Sequence, residues 1–537
     1  MLGSYLCFGV LGLHHIISYV SLLFNEMESL GFIDADLMRA RTDLAYFSER
    51  CFGLNNKWFH EAWYNTIKDQ TVRSGLIIAP RNSAKSTCWA KIAPLWLLGN
   101  NPDLRIVIVS RTSTLAQTNL AFIKMNIESN DRVREVFPAQ ELNGRVYGLK
   151  QSNPWGTEQI TVKNNRMDGA PSIYAVGLEG SITGIRADLI VVDDLIDQNN
   201  VMTDSQRDKV NAFWDTVVIP TLNPDGRIFS VGTRYHSKDF YTRLLDDSMY
   251  KEHTFMFPAM ELDERGGLKL GEDGQPISYW PERWPVEELL KIKERMGSLA
   301  FNSQFMCDPS GYAGQLFDPE WIHYYDPLRD LMSVWGNLDF VVSVDPNITP
   351  DPESDNTAIV TGAVDRRNGA IYILDIFAKP LGFLSQVKEV QHYGSKVKVS
   401  VGSHRFEPEI RISKIGIESV AYQRSLQQTG YIMGLPVVEI KQHNIKKDIR
   451  ILRIQPHIEN GRVRFPDPSI IKVPWWDAFY EEYCTFPKGR RDDRLDALEI
   501  LVNMVSESFG VSGIPWGPGG EFYGNRNFNT LARGVVR

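Results

Sequence analysis

Two sets of short apolar runs divide the chain. The first, between about residues 75 and 235, comprises "GLIIAP", "RIVIVS", "ADLIVVDD" and "RIFSVGT", with helically patterned stretches between them. The second begins near 338 with "LDFVVSVDP" and continues through "TAIVTGAV", "AIYILDIFA", "SKIGIESV" and "PVVEI". Continuous apolar runs of this length suit strands buried on both faces of a sheet. Each set therefore predicts an α/β domain. Residues 28–70 read as helical, with aromatics at Phe47, Phe52, Trp58, Phe59 and Trp63. Between the sets, "MCDPSGYAGQLFDPEWIHYYDP" (306–327) is rich in Gly, Pro and aromatics and reads as a boundary. The expected organisation is a first domain over 28–310, a linker over 311–335 and a second domain over 336–510. A Gly-rich tail with a basic end, 511–537, is expected to be mobile on its own.

Composition narrows the class. Of 537 residues, 43% are hydrophobic and 23% charged, which fits a soluble globular protein with sizeable cores. The net charge of −8 gives no global attraction to nucleic acid, so any DNA surface must be a local patch. The five cysteines, Cys7, Cys51, Cys88, Cys307 and Cys484, lack metal-ligand spacing, and their sparse, odd count points to a reducing compartment. The first 24 residues carry no Lys, Arg, Asp or Glu. That is long enough for a membrane span, but two histidines interrupt it and the basic start of a signal peptide is missing. Met27 reads as the natural start, and the apolar leader over 1–27 reads as a gene-calling artefact or a small accessory helix, with a true anchor the weaker alternative and no stable membrane association expected.

The first candidate chemistry follows "SGLIIAP". The stretch "APRNSAKST", Ala79, Pro80, Arg81, Asn82, Ser83, Ala84, Lys85, Ser86 and Thr87, has the layout of a phosphate-binding loop, G-x-x-x-x-G-K-[ST], with alanine at both glycine positions. Backbone N–H groups cradle the phosphates in such a loop, so alanine can serve where its dihedrals stay allowed. Lys85 would reach the β- and γ-phosphates of ATP, Ser86 or Thr87 would hold Mg²⁺, and Arg81 adds a second cation. A chance strand–turn–helix with a surface lysine would read the same way. "ADLIVVDDLID" shifts the balance, because it ends an apolar strand in paired acids: Asp193 suits the Mg²⁺ and Asp194 the attacking water. A third strand ends in Gly232, Thr233 and Arg234, where a side chain can sense the γ-phosphate.

The second candidate chemistry is a set of carboxylates. Asp345 ends one strand, Asp355 precedes the next, Glu418 ends another, and Asp492 and Asp493 open a predicted helix in "GRRDDRLDALEI". Acids without His or Cys favour hard cations such as Mg²⁺ or Mn²⁺, and two such ions about 4 Å apart can activate water against a phosphodiester. Singly, each acid reads as a cap or a surface charge. As an ordered set at strand ends they suit an RNase H-type fold.

The order of "PRNSAKST", "GSITGIRADLIVVDDLID", "SVGTRYHSKDF", "PERW", "VVSVDPN", "IGIESVAYQRSL" and "GRRDDRLDALEI" resembles the large terminase subunit of tailed double-stranded DNA bacteriophages, over about residues 50–505. The resemblance implies a P-loop ATPase domain with a mostly parallel sheet, followed by an RNase H-like α/β nuclease domain. It implies ATP-driven movement of double-stranded DNA into a procapsid and metal-dependent cleavage of the concatemer. Position by position, Lys85 and Arg81 match the family's loop cations, Asp193 its Mg²⁺-binding acid and Thr233 its coupling segment. Asp194 stands where the family usually has a catalytic Glu. Asp345, Glu418 and Asp493 match the nuclease acids, with Asp492 an equal candidate for the third place. The implied partners are the portal protein, the small terminase subunit and the DNA concatemer. The implied assembly is a homo-pentamer on the portal, the isolated chain being able to stand as a monomer. The implied location is the host cytoplasm, outside the mature virion. A helicase-like or repair nuclease without a packaging role, and a DNA-binding scaffold with decayed motifs, are the competing readings.

Overall fold

The computed structural model describes residues 34–180, 182, 184–347, 355–401, 404–418, 423–440 and 446–508. The leader expected over 1–27 and the tail expected over 511–537 lie outside these residues. The described chain forms two compact units, one of residues up to 233 with 238–257, the other of 234–237 with 258 onward.

The first unit is built on an eight-stranded sheet. Its strands are β1 (Ser74–Ile78), β2 (Ile106–Ser110), β3 (Gln151–Trp155), β4 (Gln159–Val162), β5 (Ile173–Gly177), β6 (Ala187–Asp193), β7 (Leu222–Gly232) and β8 (Thr254–Met256). The order across the sheet is β8-β1-β7-β6-β2-β5-β4-β3. Every pairing from β8 to β5 is parallel, and β4 and β3 close the far edge antiparallel. Every residue of β1 and β2 is buried, as their unbroken apolar runs require of central strands. Ile78 lies level with Gly232, and Asp193 with Val231, so β1, β6 and β7 deliver their C-terminal ends to one sheet edge. Ligands of open parallel sheets bind along such an edge. Residues 35–68 form three helices, Ala35–Thr42, Leu44–Phe52 and α1 (Trp58–Lys68), which bury Phe47, Phe59 and Trp63.

The second unit carries a seven-stranded mixed sheet. Its strands are β9 (His323–Tyr325), β10 (Leu338–Asp345), β11 (Thr357–Asp365), β12 (Ile371–Lys379), β13 (Ile412–Glu418), β14 (Val437–Ile440) and β15 (Val463–Pro466), in the order β9-β15-β12-β11-β10-β13-β14. β10, β11 and β12 form an antiparallel meander, and β13 joins β10 in parallel. Helix α2 (Asp493–Ser508) packs on this sheet over two glycines. A Cβ built on Gly362 would come within 3.2 Å of Leu501, and one on Gly416 within 3.0 Å of Met504. Ser343 fixes the helix further by donating to the Ala497 carbonyl over 2.6 Å.

Two boundaries differ from the sequence reading. The segment 311–335, expected as a linker, supplies edge strand β9. Its Tyr325 is buried, donates to the Ile373 carbonyl over 2.8 Å and meets the Tyr372 ring edge-on at 5.2 Å. Gly and Pro marked the turns there, while the aromatics between them are core. The compact units also part at 257/258 rather than near 310. The helix Val286–Gln304 belongs to the second unit: the Ser298 amide donates to Glu459 over 2.9 Å, and Asn460 donates to the Glu294 carbonyl over 2.7 Å.

Candidate functional site

The loop 79–87 leaves β1 and turns into a helix that begins at Lys85. Asn82 and Ala84 hold left-handed backbone, φ +60° and +63°. Asparagine tolerates that region and alanine does so at a cost of about 1 kcal/mol, so Ala84 occupies by strain the place where glycine would sit freely. Ser83 is buried and donates to the Pro80 carbonyl over 2.7 Å, which tightens the turn. Lys85 is buried, only 4% exposed.

Across the sheet edge, the Ser86 hydroxyl hydrogen-bonds the Asp193 carboxylate. Asn119, on the helix Ser113–Ser129, donates to Asp193 Oδ2 over 2.7 Å. Burial pushes the Asp193 carboxyl up to about 6; the neighbouring Asp194 charge adds to this, while Ser86, Asn119 and the Lys85 charge oppose it. Asp194 follows at φ +45°, a strained conformation of the kind that concentrates at functional sites. Among the described residues, Asp193 Oδ1, Asp194 Oδ1 and Thr233 Oγ1 are buried without a hydrogen-bond partner. Unsatisfied oxygens beside a lysine and a serine fit a Mg²⁺–nucleotide complex, which would satisfy them. Of the alternatives Ser86 and Thr87, the one bonded to Asp193 is Ser86.

Gly232 and Tyr241 close this edge. A Cβ on Gly232 would fall 1.9 Å from the Tyr241 ring. The Tyr241 hydroxyl donates to the Val231 carbonyl over 2.9 Å and accepts from the Leu195 amide at 3.3 Å. The Asp194 amide reaches the same Val231 carbonyl at 3.1 Å.

In the second unit, Asp345 and Glu418 end the adjacent parallel strands β10 and β13, one residue beyond the Val344–Ile417 pair. Asp493 opens α2 and is fully buried. Its Oδ2 accepts from the Asn356 amide over 2.9 Å and from Asn356 Nδ2 over 3.0 Å, while its Oδ1 is buried without a partner among the described residues. Asp492 is half-buried and takes the Lys447 ammonium at 2.7 Å; the same ammonium lies 3.4 Å from Asp496. Burial pushes the Asp345 carboxyl well above its usual range, helped by the charges of Asp496, Glu418 and Asp493 and opposed by Lys447. Burial also raises Asp493, against the Asn356 bonds and the Lys447 charge. Burial works against the charge of Lys447, yet Asp496, Asp492 and Asp345 outweigh it and hold the ammonium above its ordinary range.

The edge therefore gathers Glu418, Asp493 and Asp496 within electrostatic reach of Asp345. As placed, no three acidic, His or Cys side chains close around a single point among the described residues. The donor set fits a hard cation in kind, since it is all carboxylate and two buried oxygens, Asp493 Oδ1 and Asp496 Oδ1, have no hydrogen-bond partner among the described residues. Asp355 is exposed and adds its charge near Asp493. Behind the edge, Arg450 faces Asp496 at 3.4 Å and Glu499 at 3.6 Å. Burial pushes the Glu499 carboxyl up to about 7.

Residues 342–505 match the family model described as the terminase RNase H-like domain. This part of the chain is similar to the RNase H-like domain of terminases. Its bounds enclose the end of β10 with Asp345, β13 with Glu418 and most of α2 with Asp493. The chain is also similar to a "Terminase, large subunit" of Enterobacteria phage T3, 29% identical over 239 residues. That alignment covers 40% of this chain and 38% of the T3 protein. Among solved structures, the large terminase of a thermophilic bacteriophage in complex with ATP-gamma-S aligns with 87% of this chain and 98% of its own, at 12% identity and TM-score 0.41. The large terminase nuclease of thermophilic phage G20c with bound magnesium aligns with 34% of this chain and 84% of its own, at 11% identity and TM-score 0.22. No described helix is long and apolar enough to cross a membrane.

Sequence reasoning missed Asn119, Asn356, Tyr241 and Lys447. Asn119 sits mid-helix and Lys447 opens a short helix, so neither stands in a recognisable spacing. Asn356 is a neutral amide beside the acidic Asp355 and leaves no mark of its own in the sequence. Tyr241 had a signal, the glycine at 232 that makes room for its ring.

Proposed function

We propose that the chain is the large subunit of a viral DNA-packaging terminase. It hydrolyses ATP to drive double-stranded DNA into a procapsid and cleaves the concatemer with a metal-dependent endonuclease. The observation that carries the reading is the pairing, in one chain, of the Lys85–Ser86–Asp193 edge with a terminase RNase H-like domain. In the first unit, Lys85 and Arg81 bind the β- and γ-phosphates, Ser86 and Asp193 hold Mg²⁺, and Asp194 orients the attacking water. Thr233, at the end of the strand beside β1, registers the γ-phosphate. The buried oxygens of Asp193 and Asp194 support these roles, because bound nucleotide and metal would satisfy them.

In the nuclease, Asp345, Glu418 and Asp493 are the proposed ligands for Mg²⁺ or Mn²⁺, whose chemistry when bound is to acidify water and to stabilise the leaving oxygen. Asp493 is favoured over Asp492 because Asp492 is engaged by Lys447. Substrate and partners follow the same reading: concatemeric double-stranded DNA, the portal, a small terminase subunit, and a pentameric ring on the portal in the host cytoplasm.

The test uses purified full-length protein. ATP hydrolysis should be stimulated by portal-bearing procapsids and lost in Lys85→Ala. Cleavage of plasmid DNA with Mg²⁺ or Mn²⁺ should be lost in Asp345→Ala and kept in Lys85→Ala. Duplex unwinding without procapsid stimulation would favour the helicase-like reading. Absence of both activities in the folded wild type would favour a scaffold.

A further inference from the structure

Helix α1 grips the phosphate loop from both sides of Lys85. His60, at the third position of α1, is buried, 3% exposed, against Phe59 and Trp63. Its Nδ1 lies 3.1 Å from the Lys57 amide, and its Nε2 lies 3.1 Å from the Ser83 carbonyl. An amide can only donate, so Nδ1 must accept, and the ring proton must sit on Nε2 and be donated to Ser83. One turn along the same face, the Trp63 carbonyl accepts from Trp89 Nε1 over 2.9 Å. Ser83 precedes Ala84, and Trp89 follows Lys85 by four residues.

The loop needs such a hold. Ala84 stays at φ +63° only if its surroundings over-determine that conformation. A glycine loop is free of this requirement. The His60 bond fixes the carbonyl of Ser83, whose peptide unit includes the amide of Ala84, and so sets the direction in which that N–H points. Burial holds the imidazole neutral, down to about 4, so the donor persists across the working pH range.

We propose that His60 is a positioning residue for the nucleotide site: by donating to the Ser83 carbonyl it holds the alanine-containing loop in its phosphate-binding shape. This rests on the reading of residues 79–87 as the ATP site.

The test compares full-length wild type, His60→Gln, His60→Asn and His60→Phe by equilibrium binding of ATP with Mg²⁺, by KM and kcat for ATP hydrolysis, and by thermal melting without nucleotide. Glutamine carries an N–H near the position of Nε2 and can still reach Ser83; asparagine can still accept from Lys57 but falls short of the loop. The expected result is ATP binding weakened roughly tenfold in His60→Phe and His60→Asn, with KM raised more than kcat is lowered, and near-normal binding in His60→Gln. Adding Ala84→Gly to His60→Phe should recover part of the loss, because glycine needs less restraint.

Unchanged binding in folded His60→Phe overturns the proposal. So does equal weakening in His60→Gln and His60→Asn, which would make the ring a packing element only. If His60→Phe does not fold, the glutamine–asparagine difference decides alone, and its absence overturns the proposal. Failure of the wild type itself to bind ATP overturns the nucleotide reading, a result distinguishable from all the others.

Discussion

Asn119 donates from Nδ2 to Asp193 Oδ2 across 2.7 Å, and both side chains are buried. The bond favours the ionised carboxylate against a burial effect that pushes it up to about 6. Asn119→Leu removes the donor and keeps the volume. It should raise the Mg²⁺ concentration for half-maximal ATP hydrolysis by about tenfold, since metal ligands must be deprotonated and oriented. A metal titration of the ATPase reads this directly. An unchanged Mg²⁺ requirement would mean that Asn119 does not act through Asp193.

Ala84 offers a test in the opposite direction. Ala84→Gly relieves the left-handed strain of about 1 kcal/mol but loosens the unfolded chain by a similar amount. Stability should therefore change little and ATP affinity should hold or rise. Ala84→Val, β-branched at φ +63°, should lose ATP binding. Melting curves with and without nucleotide separate the two variants. Equal behaviour would show that the loop does not depend on its backbone at 84.

The nuclease edge predicts an asymmetry between neighbours. Asp493 is fully buried on Asn356, whereas Asp492 is half-buried on Lys447. Asp493→Ala should abolish Mn²⁺-dependent plasmid cleavage. Asp492→Ala should retain it with a shifted metal requirement, because losing an ion pair this near the surface costs at most about 1 kcal/mol. Cleavage against Mn²⁺ concentration in both variants is the measurement, and a dead Asp492→Ala beside an active Asp493→Ala would exchange their roles.

Acid should weaken the protein before its carboxylates account for it. His60 and His457 are held down to about 4, mainly by burial and further by the Lys57 and Arg462 charges respectively. Unfolded histidine titrates near 6.5, so between about pH 6.5 and 4 the unfolded chain takes up protons that these two rings refuse. Their contribution is fully present above pH 6.5 and falls away as the pH drops toward 4, by roughly 3 kcal/mol per ring at most. His60→Gln should flatten the decline in melting temperature over that window, and an identical slope would show that His60 titrates normally.

The strands were legible because burial on both faces writes continuous apolar runs; the apolar centre of each of the nine runs quoted from the two sets lies in a strand. Two edge strands, His323–Tyr325 and Thr254–Met256, were not, since each is only three residues long and pairs with one neighbour. The strand-end positions of Asp193, Asp345 and Glu418 could be read because an acid after an apolar run breaks the pattern. Asn119 and Asn356 could not, because a neutral amide on a helix or a loop leaves no such break. The split at 257/258 was hidden for a related reason: Gly and Pro in 306–327 mark turns, and turns occur inside a unit as readily as between units.

Tyr241 gives the first unit a mechanical property. Through one hydroxyl it ties the ends of β6 and β7, and the Asp194 amide shares the same carbonyl at Val231. Two adjacent strand ends stapled at one atom cannot fray separately. The amides of Asp194 and Leu195 should therefore exchange with solvent deuterium as one cooperative group, opening only when the staple opens. Whatever bends the chain after Asp193 must be felt at Thr233 without delay, so the edge behaves as a stiff lever rather than as two loops.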